Sequence, residues 1–278
     1  MMGADVTTSG QRLRTGAQIP SVGLGVWQAP RGVAREAVKT ALQAGYRHVD
    51  TAKLYANEAD VGDGLRDSGI PRDEVFVTTK LWNDDQGYDT ALRAFDASLA
   101  RLGLETVDLY LLHWPVPGKR LDSWRALEKL FDDGRARAIG VSNFLVPHLE
   151  ELLGKARHPP AVNQIEVHPF LQHRETRAYC KQHDIVVEAY SPLTHGERLT
   201  HPAITEVAQR VKRTNAQVLL RWSLQGDMVT LPKSVRAARM AENAAIFDFA
   251  LDADAMARLD GLEAGSPLEA GWDPRKQA

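Results

Sequence analysis

The sequence predicts an α/β fold, a (β/α)8 TIM barrel with a short N-terminal hairpin, and two observations carry this prediction. Short apolar or β-branched runs alternate with longer stretches of helical periodicity, and there are eight such runs. Strands that alternate with helices form parallel sheets, and eight strand–helix units close into a barrel of roughly 250 residues. The chain has 278 residues, so we expect a single barrel domain over residues 1–278.

The predicted strands are short, rich in β-branched residues and bounded by polar or turn residues. In chain order they cover residues 22–26, 47–50, 75–80, 107–113, 138–143, 162–167, 185–190 and 228–232. Their interiors are otherwise apolar, and their polar residues are concentrated at the C-terminal ends.

The segments between the strands have apolar residues at three-to-four spacing, which is typical of helices. Three of them stop at a glycine: 32–44 before Gly45, 89–102 before Gly103 and 123–133 before Gly134. Residues 201–226 predict two helices before the last strand, one more than the plain repeat needs. Residues 12–20, with Gly16 in a turn, predict a hairpin that plugs the bottom of the barrel.

Composition excludes several classes of protein. The chain is 44% hydrophobic with a formal net charge of -2, which is ordinary for a soluble globular protein and lacks the basic surface of a nucleic-acid binder. The single cysteine, Cys180, excludes an internal disulfide and a cysteine-based zinc site. No run of 18 apolar residues is present, and the first residues, MMGADVTT, lack the charged and apolar regions typical of a signal peptide. We therefore expect a cytoplasmic protein that binds neither nucleic acid nor membrane.

Four polar residues follow successive predicted strands, where active sites of such barrels lie. Asp50 ends the second strand and Tyr55 follows it, Lys80 ends the third and His113 the fourth. A phenol has a free pKa of about 10, and a neighbouring ammonium lowers it. Lys80 can supply that ammonium, Asp50 can hold Lys80, and His113 can hydrogen-bond a substrate oxygen. Each residue alone has a structural explanation; together they predict proton donation to an oxygen that becomes an alkoxide.

A basic cluster follows the last predicted strand. We expect a helix to begin near Ser234, directly after Lys233, with Arg236 and Arg239 in its opening turns. Cations oppose the dipole at a helix N-terminus, and a bound phosphate resolves this conflict; the alternative is a solvated basic face. The chain lacks both G-x-G-x-x-G and G-x-x-x-x-G-K-[ST], so a nucleotide is not bound in the Rossmann or P-loop manner.

Large aromatic side chains also follow the strands. Trp27, Trp82 and Trp114 come after the first, third and fourth strands, and Tyr190 ends the seventh. Aromatic residues at a polar mouth form a slot for an apolar substrate body or a flat ring. The alternative is that they merely cap the barrel.

With these residues laid out, the chain resembles the aldo-keto reductases, and most the bacterial branch that includes 2,5-diketo-D-gluconate reductases. Eight stretches in the right order carry the resemblance, over nearly the whole chain. They are GLGVW (23–27), GYRHVDTAKLYANE (45–58), VFVTTKLWN (75–83), VDLYLLHWP (107–115), IGVSNF (139–144), VNQIEVHPF (162–170), AYSPL (189–193) and LPKSV (231–235).

The resemblance implies roles for individual residues. The family's catalytic tetrad falls on Asp50, Tyr55, Lys80 and His113. Its nicotinamide stacks on the tyrosine matching Tyr190, and its carboxamide is held by residues matching Ser142, Asn143 and Gln164. The 2′-phosphate of NADP is bound by residues matching Lys233, Ser234, Arg236 and Arg239, and adenine by those matching Glu242 and Asn243. Ser191, Leu193 and Val235, in the same motifs, are expected to contact the cofactor too.

The function that the resemblance implies is NADPH-dependent reduction of an aldehyde or ketone, including keto sugars and α-keto compounds, by a monomer with Tyr55 as proton donor. Trp27, Trp82 and Trp114 are expected in the substrate pocket, and no metal is expected. Two alternatives stay open: a nicotinamide-binding sensor or scaffold without significant turnover, and a metal-dependent hydrolase using His113, His168 and acidic residues at the strand ends. Residues 194–204 replace a glycine- and serine-rich loop of many relatives, and the tail at 265–278 matches nothing specific.

Overall fold

The structure is a computed structural model that describes residues 9–269 and 272–276, and it begins with the predicted hairpin. Strands β1 (Gly10–Arg12) and β2 (Gln18–Pro20) pair antiparallel, and Gly16 in the turn has a φ of 88°. Leu13 and Ile19 are buried against residues of the barrel strands. The hairpin therefore closes the bottom of the barrel, as predicted.

Eight parallel strands form the barrel, and each neighbours the next in chain order. Val22 bridges to Thr230 and Gly25 to Lys233, so the first strand also meets the last. The eight predicted strands are thus confirmed, and the fold is the predicted TIM barrel. The strands are β3 (Leu24–Gly25), β4 (His48–Asp50), β5 (Phe76–Leu81), β6 (Leu109–Leu112), β7 (Ile139–Ser142), β8 (Val162–Glu166), β9 (Val186–Tyr190) and β10 (Val229–Leu231).

Ten helices of the described residues surround the barrel and cover its strands. The predicted helix pair before β10 is present. Apolar faces of the outer helices supply Val38, Phe95, Leu127 and Leu219 to the main core. The helices are α1 (Val33–Gln43), α2 (Glu58–Ser68), α3 (Tyr88–Leu102), α4 (Arg120–Asp132), α5 (Val146–Leu153), α6 (Arg174–Gln182), α7 (Pro202–Val211), α8 (Asn215–Gln225), α9 (Ala237–Ala244) and α10 (Ala253–Asp260).

The start of α9 differs from the prediction. The helix begins at Ala237, with Arg236 as an extended N-cap residue. The reason is local: the backbone N–H of Arg236 donates to Ser234 Oγ at 3.1 Å, and this side-chain bond holds a turn before the helix. Arg236 therefore precedes α9, and only Arg239 lies in its first turn.

None of the helices within residues 9–269 and 272–276 is both long enough and apolar enough to cross a lipid bilayer.

Candidate active site

Lys80 is the centre of a cluster at the C-terminal ends of β4 and β5. Its side chain is fully buried, and its Nζ donates to Asp50 Oδ1 at 2.7 Å and Oδ2 at 2.9 Å. The same ammonium lies 3.0 Å from the Thr51 carbonyl and 3.3 Å from Tyr55 Oη. The barrel thus brings three of the four predicted catalytic residues into direct contact.

His113 completes the cluster from the end of β6. Its ring centroid lies 5.9 Å from that of Tyr55 and 5.2 Å from that of Trp82. Burial, and secondarily the charge of Lys80, hold the pKa of His113 well below its ordinary value. The imidazole is therefore neutral at pH 7, a state in which one ring nitrogen donates and the other accepts.

The pKa of Tyr55 corrects the expectation of a lowered value. Burial raises it most, Lys80 lowers it through charge and a hydrogen bond, and Asp50 raises it; the net direction is upward. For Lys80 burial acts in the opposite direction and lowers the pKa. The charges of Asp50 and Tyr55 outweigh this effect of burial, so the net pKa of Lys80 is raised. At neutral pH the site therefore holds a protonated phenol beside a permanent ammonium.

A cleft of about 1170 Å³ opens above this cluster. This volume is larger than that of most single-ligand pockets, which span roughly 300–1,000 Å³. Lys80 and Trp82 do not line this cleft themselves, although Lys80 contacts Asp50 and Tyr55 and the Trp82 ring lies against that of His113. All other predicted site residues line it: Trp27, Asp50, Tyr55, His113, Trp114, Ser142, Asn143, Gln164, Tyr190, Ser191, Leu193, Lys233, Ser234, Val235, Arg236, Arg239, Glu242 and Asn243.

The inner end of the cleft, above Asp50 and Tyr55, is lined by polar side chains that already have partners. Asn143, at a left-handed φ of 64°, donates through Nδ2 to the His113 carbonyl at 3.0 Å and accepts from Tyr190 Oη at 2.8 Å. Ser142 Oγ donates to the Gln164 carbonyl at 2.8 Å. These bonds hold the amide and hydroxyl groups in one orientation before any ligand binds.

The outer end of the cleft, at the start of α9, carries the basic cluster. Lys233, Arg236 and Arg239 are exposed, and among the described residues none of their side chains has an ion-pair or hydrogen-bond partner. No side chain caps α9, so its leading N–H groups are available to a ligand. Unpaired cations beside free helical N–H groups suit a phosphate, the group that a phosphorylated nicotinamide cofactor presents.

The residues predicted to contact adenine lie further along α9. Glu242 accepts from Thr214 Oγ1 at 2.6 Å, while Asn243 is buried. Both line the cleft, next to the basic cluster.

Sequence reasoning assigned no role to three residues in or near the site. Trp272, in the tail that matched nothing specific, packs its ring 5.0 Å from Trp27 and 6.3 Å from Trp114. His195 lies 5.3 Å from Trp27 and 2.9 Å from Ser191 Oγ. Glu188 is fully buried inside the barrel. The available signal for Glu188 was a carboxylate inside an otherwise apolar strand.

The metal-dependent alternative finds no ligand set in the part of the chain that is described. Within residues 9–269 and 272–276, no three His, Cys, Asp or Glu side chains are grouped so that they could hold a metal ion. His168, proposed as a ligand in that alternative, instead pairs with Glu166 at 2.9 Å.

Comparison with known proteins agrees with this geometry. Residues 21–264 match the Aldo/keto reductase family. The chain is 51% identical over 252 residues to a glyoxal reductase of Bacillus subtilis (strain 168), covering 90% of this chain and 91% of that protein. It is 49% identical over 278 residues to a morphine 6-dehydrogenase of Pseudomonas putida, with 95% and 93% covered.

A solved structure of an aldo/keto reductase from Brucella melitensis has the same fold. It superposes with a TM-score of 0.91 at 44% identity, covering 95% of this chain and 100% of that one. The match of the family over most of the chain and these relatives agree with the cluster at the strand ends. The chain therefore belongs to the aldo/keto reductase family and is an oxidoreductase that acts on carbonyl groups with a nicotinamide cofactor.

Proposed function

We propose that this protein reduces aldehydes or ketones with NADPH and that Tyr55 is the proton donor. One observation carries the proposal. Lys80 Nζ lies 3.3 Å from Tyr55 Oη while both oxygens of Asp50 hold the same ammonium. Tyr55 and His113 line the cleft above it, so a carbonyl oxygen can reach both.

The chain's residues divide the reaction between them. A bound reduced nicotinamide would supply the hydride that the carbonyl carbon accepts. His113, held neutral by burial, donates a hydrogen bond that orients the carbonyl oxygen. Tyr55 then gives its proton to that oxygen, and the adjacent Lys80 ammonium stabilises the developing phenolate. Asp50 holds Lys80 in place.

The raised pKa of Tyr55 is compatible with this role. A general acid must carry its proton at the working pH, and burial ensures this. Lys80 limits the cost of losing the proton, because a phenolate beside an ammonium is favoured over one alone. The reverse reaction, oxidation of an alcohol, uses the same pair with the proton moving back to Tyr55.

The cofactor residues follow the cleft from its inner to its outer end. We infer that Ser142, Asn143 and Gln164 bind the nicotinamide carboxamide and that the ring lies on Tyr190. From there the rest of the cofactor would extend past Ser191 and Leu193 to the outer end of the cleft. There Lys233, Ser234, Arg236 and Arg239 would bind the 2′-phosphate, next to Val235, and Glu242 and Asn243 would contact adenine. The unpaired cations support NADPH over NADH.

The substrate would occupy the aromatic part of the cleft. Trp27, Trp114 and Trp272 approach one another there with ring distances of 5.0 and 6.3 Å. Such walls favour an apolar substrate body or a flat ring. The relatives named above carry glyoxal and morphine in their names, and these compounds differ so much in size that the two names do not single out one substrate class. The likeness to the 2,5-diketo-D-gluconate branch stays a prediction.

We infer that the protein is a monomer. Among the described residues only three large hydrophobic side chains are exposed, Val33, Leu54 and Val235. Obligate subunit interfaces are large and more hydrophobic than other surfaces, so this sparse set favours a monomer. The cytoplasmic location stays a prediction.

The test is turnover of a panel of aldehydes, α-keto compounds and keto sugars, read as loss of the absorbance of NADPH. We expect NADPH-dependent reduction that persists in the presence of a chelator. If NADPH binds but nothing in the panel is reduced, the sensor or scaffold alternative takes the place of the enzyme. Turnover that a chelator abolishes would favour the metal-dependent alternative instead.

A further inference from the structure

Glu188 is not one of the four residues of the catalytic cluster, but Gln164 connects it to Asp50 of that cluster. It sits in β9, opposite Gln164 of β8 and Val229 of β10. Its side chain is fully buried inside the barrel. A carboxyl group in such a place is costly unless it has partners or is neutral.

The partner of Glu188 is also the partner of Asp50. Gln164 Nε2 donates to Glu188 Oε2 at 3.0 Å and to Asp50 Oδ2 at 2.8 Å. A side-chain amide has two N–H groups and one oxygen. Because both N–H groups are committed to carboxyl oxygens, the amide oxygen of Gln164 is the end left without a partner among the described residues.

Gln164 also lines the cleft. Its orientation therefore decides whether a ligand at the inner end meets an acceptor or a donor. With the amide turned over, its oxygen would face two carboxyl groups, which repels unless both are protonated. Two acceptors below the amide are thus what directs its oxygen toward the ligand.

Charge balance inside the barrel favours the protonated form of Glu188. The groups that face it are Asp50 and His48 of β4, Lys80 of β5 and Gln164 of β8. The single ammonium, on Lys80, is already paired with Asp50, so a second carboxylate would be uncompensated. Burial above all, and then the charge of Asp50, raise the pKa of Glu188 to about 8.

The proton on Glu188 has a place to reside. Its Oε1 is buried without a hydrogen-bond partner in the described residues and lies 3.6 Å from His48 Nε2. Burial lowers the pKa of His48 to about 4, so that ring is neutral and adds no positive charge. Oε1 is therefore the oxygen available to carry the proton, while Oε2 accepts from Gln164.

We propose that Glu188 is a positioning residue. As a neutral acid it accepts a hydrogen bond from one N–H group of Gln164, while Asp50 accepts from the other. The amide oxygen of Gln164 is thereby directed toward the cofactor. The inference rests on the proposed function, since the ligand at Gln164 is the nicotinamide carboxamide. Ionisation of Glu188 adds a second negative charge beside Lys80. That charge opposes phenolate formation on Tyr55 and slows proton transfer.

Two substitutions of Glu188 distinguish the effect of hydrogen-bond acceptance from the effect of side-chain volume. Glu188→Gln keeps an oxygen that can accept from Gln164 and stays neutral, whereas Glu188→Leu has a similar volume and accepts nothing. Glu128→Gln is the matched control: it is a buried carboxyl on α4 that accepts from the backbone N–H groups of Arg157 and His158, remote from the cleft.

The first readout is cofactor affinity without substrate, from quenching of tryptophan fluorescence by added NADP⁺. We expect Glu188→Leu to weaken binding about tenfold, as for loss of one oriented hydrogen bond. Glu188→Gln and Glu128→Gln should stay within about threefold of the parent protein. Unchanged binding in Glu188→Leu, with melting showing a folded protein, overturns the proposal.

The second readout remains informative if Glu188→Leu does not fold. In the parent protein kcat should decline as the pH rises through about 8, and in Glu188→Gln this decline should be absent. A purely structural role would change the melting temperature without moving the pH profile. An identical decline in both proteins overturns the proposal.

The outcome for the proposed function is separate. A parent protein that binds no NADP⁺ and reduces no carbonyl compound contradicts the proposed function. If the parent protein binds NADP⁺ and reduces carbonyl compounds, and the Glu188 variants behave in the same way, only the role of Glu188 is contradicted.

Discussion

At the inner end of the cleft the cation Lys80 is fully buried among acceptors, whereas at the outer end Lys233, Arg236 and Arg239 are exposed. Those three have no ion-pair partner within the described residues. The inner cation is paired when the barrel folds, because a buried ammonium without a counter-charge would be strongly destabilising. The outer cations need no such partner, since water solvates them until a ligand arrives.

The difference shows where each kind of charge acts. Pairing in the interior fixes geometry and protonation before substrate binds, which is what proton transfer requires. Unpaired charge at the surface contributes only when an anion is present, so it serves selection between ligands. Substitutions at the inner end should therefore change rate and stability, and those at the outer end should change cofactor affinity.

The largest effect is expected for the proton donor. Tyr55→Phe removes the hydroxyl and keeps the ring, so kcat should fall by roughly 10²–10⁴-fold, the range of general acid catalysis. Affinity for NADPH should stay within a few-fold, because the outer end is untouched. Steady-state rates and a fluorescence titration on the same preparation measure both. Full kcat in the variant would show that another group gives the proton.

Lys80→Met tests the pairing of the inner end. It removes the ammonium but leaves Asp50 buried, and breaking a buried pair costs about 3–5 kcal/mol of unfolding free energy. It also removes the influence that lowers the pKa of Tyr55, so the pH limb that reports this group should move upward.

Arg239→Ala is the matched comparison for stability. Removal of that exposed cation should change the unfolding free energy by less than about 0.5 kcal/mol. Denaturant titration of both variants measures the contrast. Equal stability losses would mean that the two ends do not differ as described.

At the outer end, Arg239→Ala should weaken NADPH binding by about one to two decades. A charge-assisted hydrogen bond is worth roughly 1.5–3 kcal/mol, and NADH, which lacks the 2′-phosphate, should lose only a few-fold. Added salt should reduce the preference for NADPH, because exposed charges are screened. Titration of both cofactors decides the matter. Equal losses would show that Arg239 does not contact the phosphate, and an NADH preference in the parent protein would overturn the assignment of the whole cluster.

The smallest expected effect is a pH dependence of folding that arises at the inner end alone. The pKa of Glu188 is raised from 4.5 to about 8, so the stability from its protonated form is lost as pH rises between these values. The pKa of His48 is lowered from 6.5 to about 4, so its contribution is lost as pH falls through that range. The pKa of His113 is lowered in the same direction as that of His48, so the histidines oppose Glu188 below pH 6.5. From pH 6.5 to about 8, Glu188 is the shifted group of the inner end that acts.

Between pH 6.5 and 8 the unfolding free energy should therefore fall by about 2 kcal/mol, given about 1.4 kcal/mol per pH unit for one proton. Denaturant midpoints across this range provide the measurement, and Glu188→Gln should remove most of the slope. A slope that survives in Glu188→Gln would place the titrating group elsewhere.

Much of the fold and of the site can be predicted from the sequence, because both depend on local residue patterns and on the way parallel strands align their C-terminal ends. Alternating apolar runs and helical periodicity place the eight strands. Since the C-terminal ends of parallel strands meet at one mouth, Asp50, Lys80 and His113 are expected together although 63 positions separate the first from the last. The basic cluster is equally local, because Lys233, Arg236 and Arg239 are neighbours in the chain.

Only the tertiary structure decided the features that depend on distant surroundings. The net direction of the Tyr55 pKa depends on how far the surrounding residues shield this half-buried phenol from water, an effect that outweighs the Lys80 charge visible in the sequence. Trp272 joins Trp27 because the tail folds back across the mouth, and no periodicity predicts that return. Glu188 becomes a partner of Gln164 only through the register of β8 and β9, since hydrogen bonds between strands require atomic positions that residue types alone do not specify.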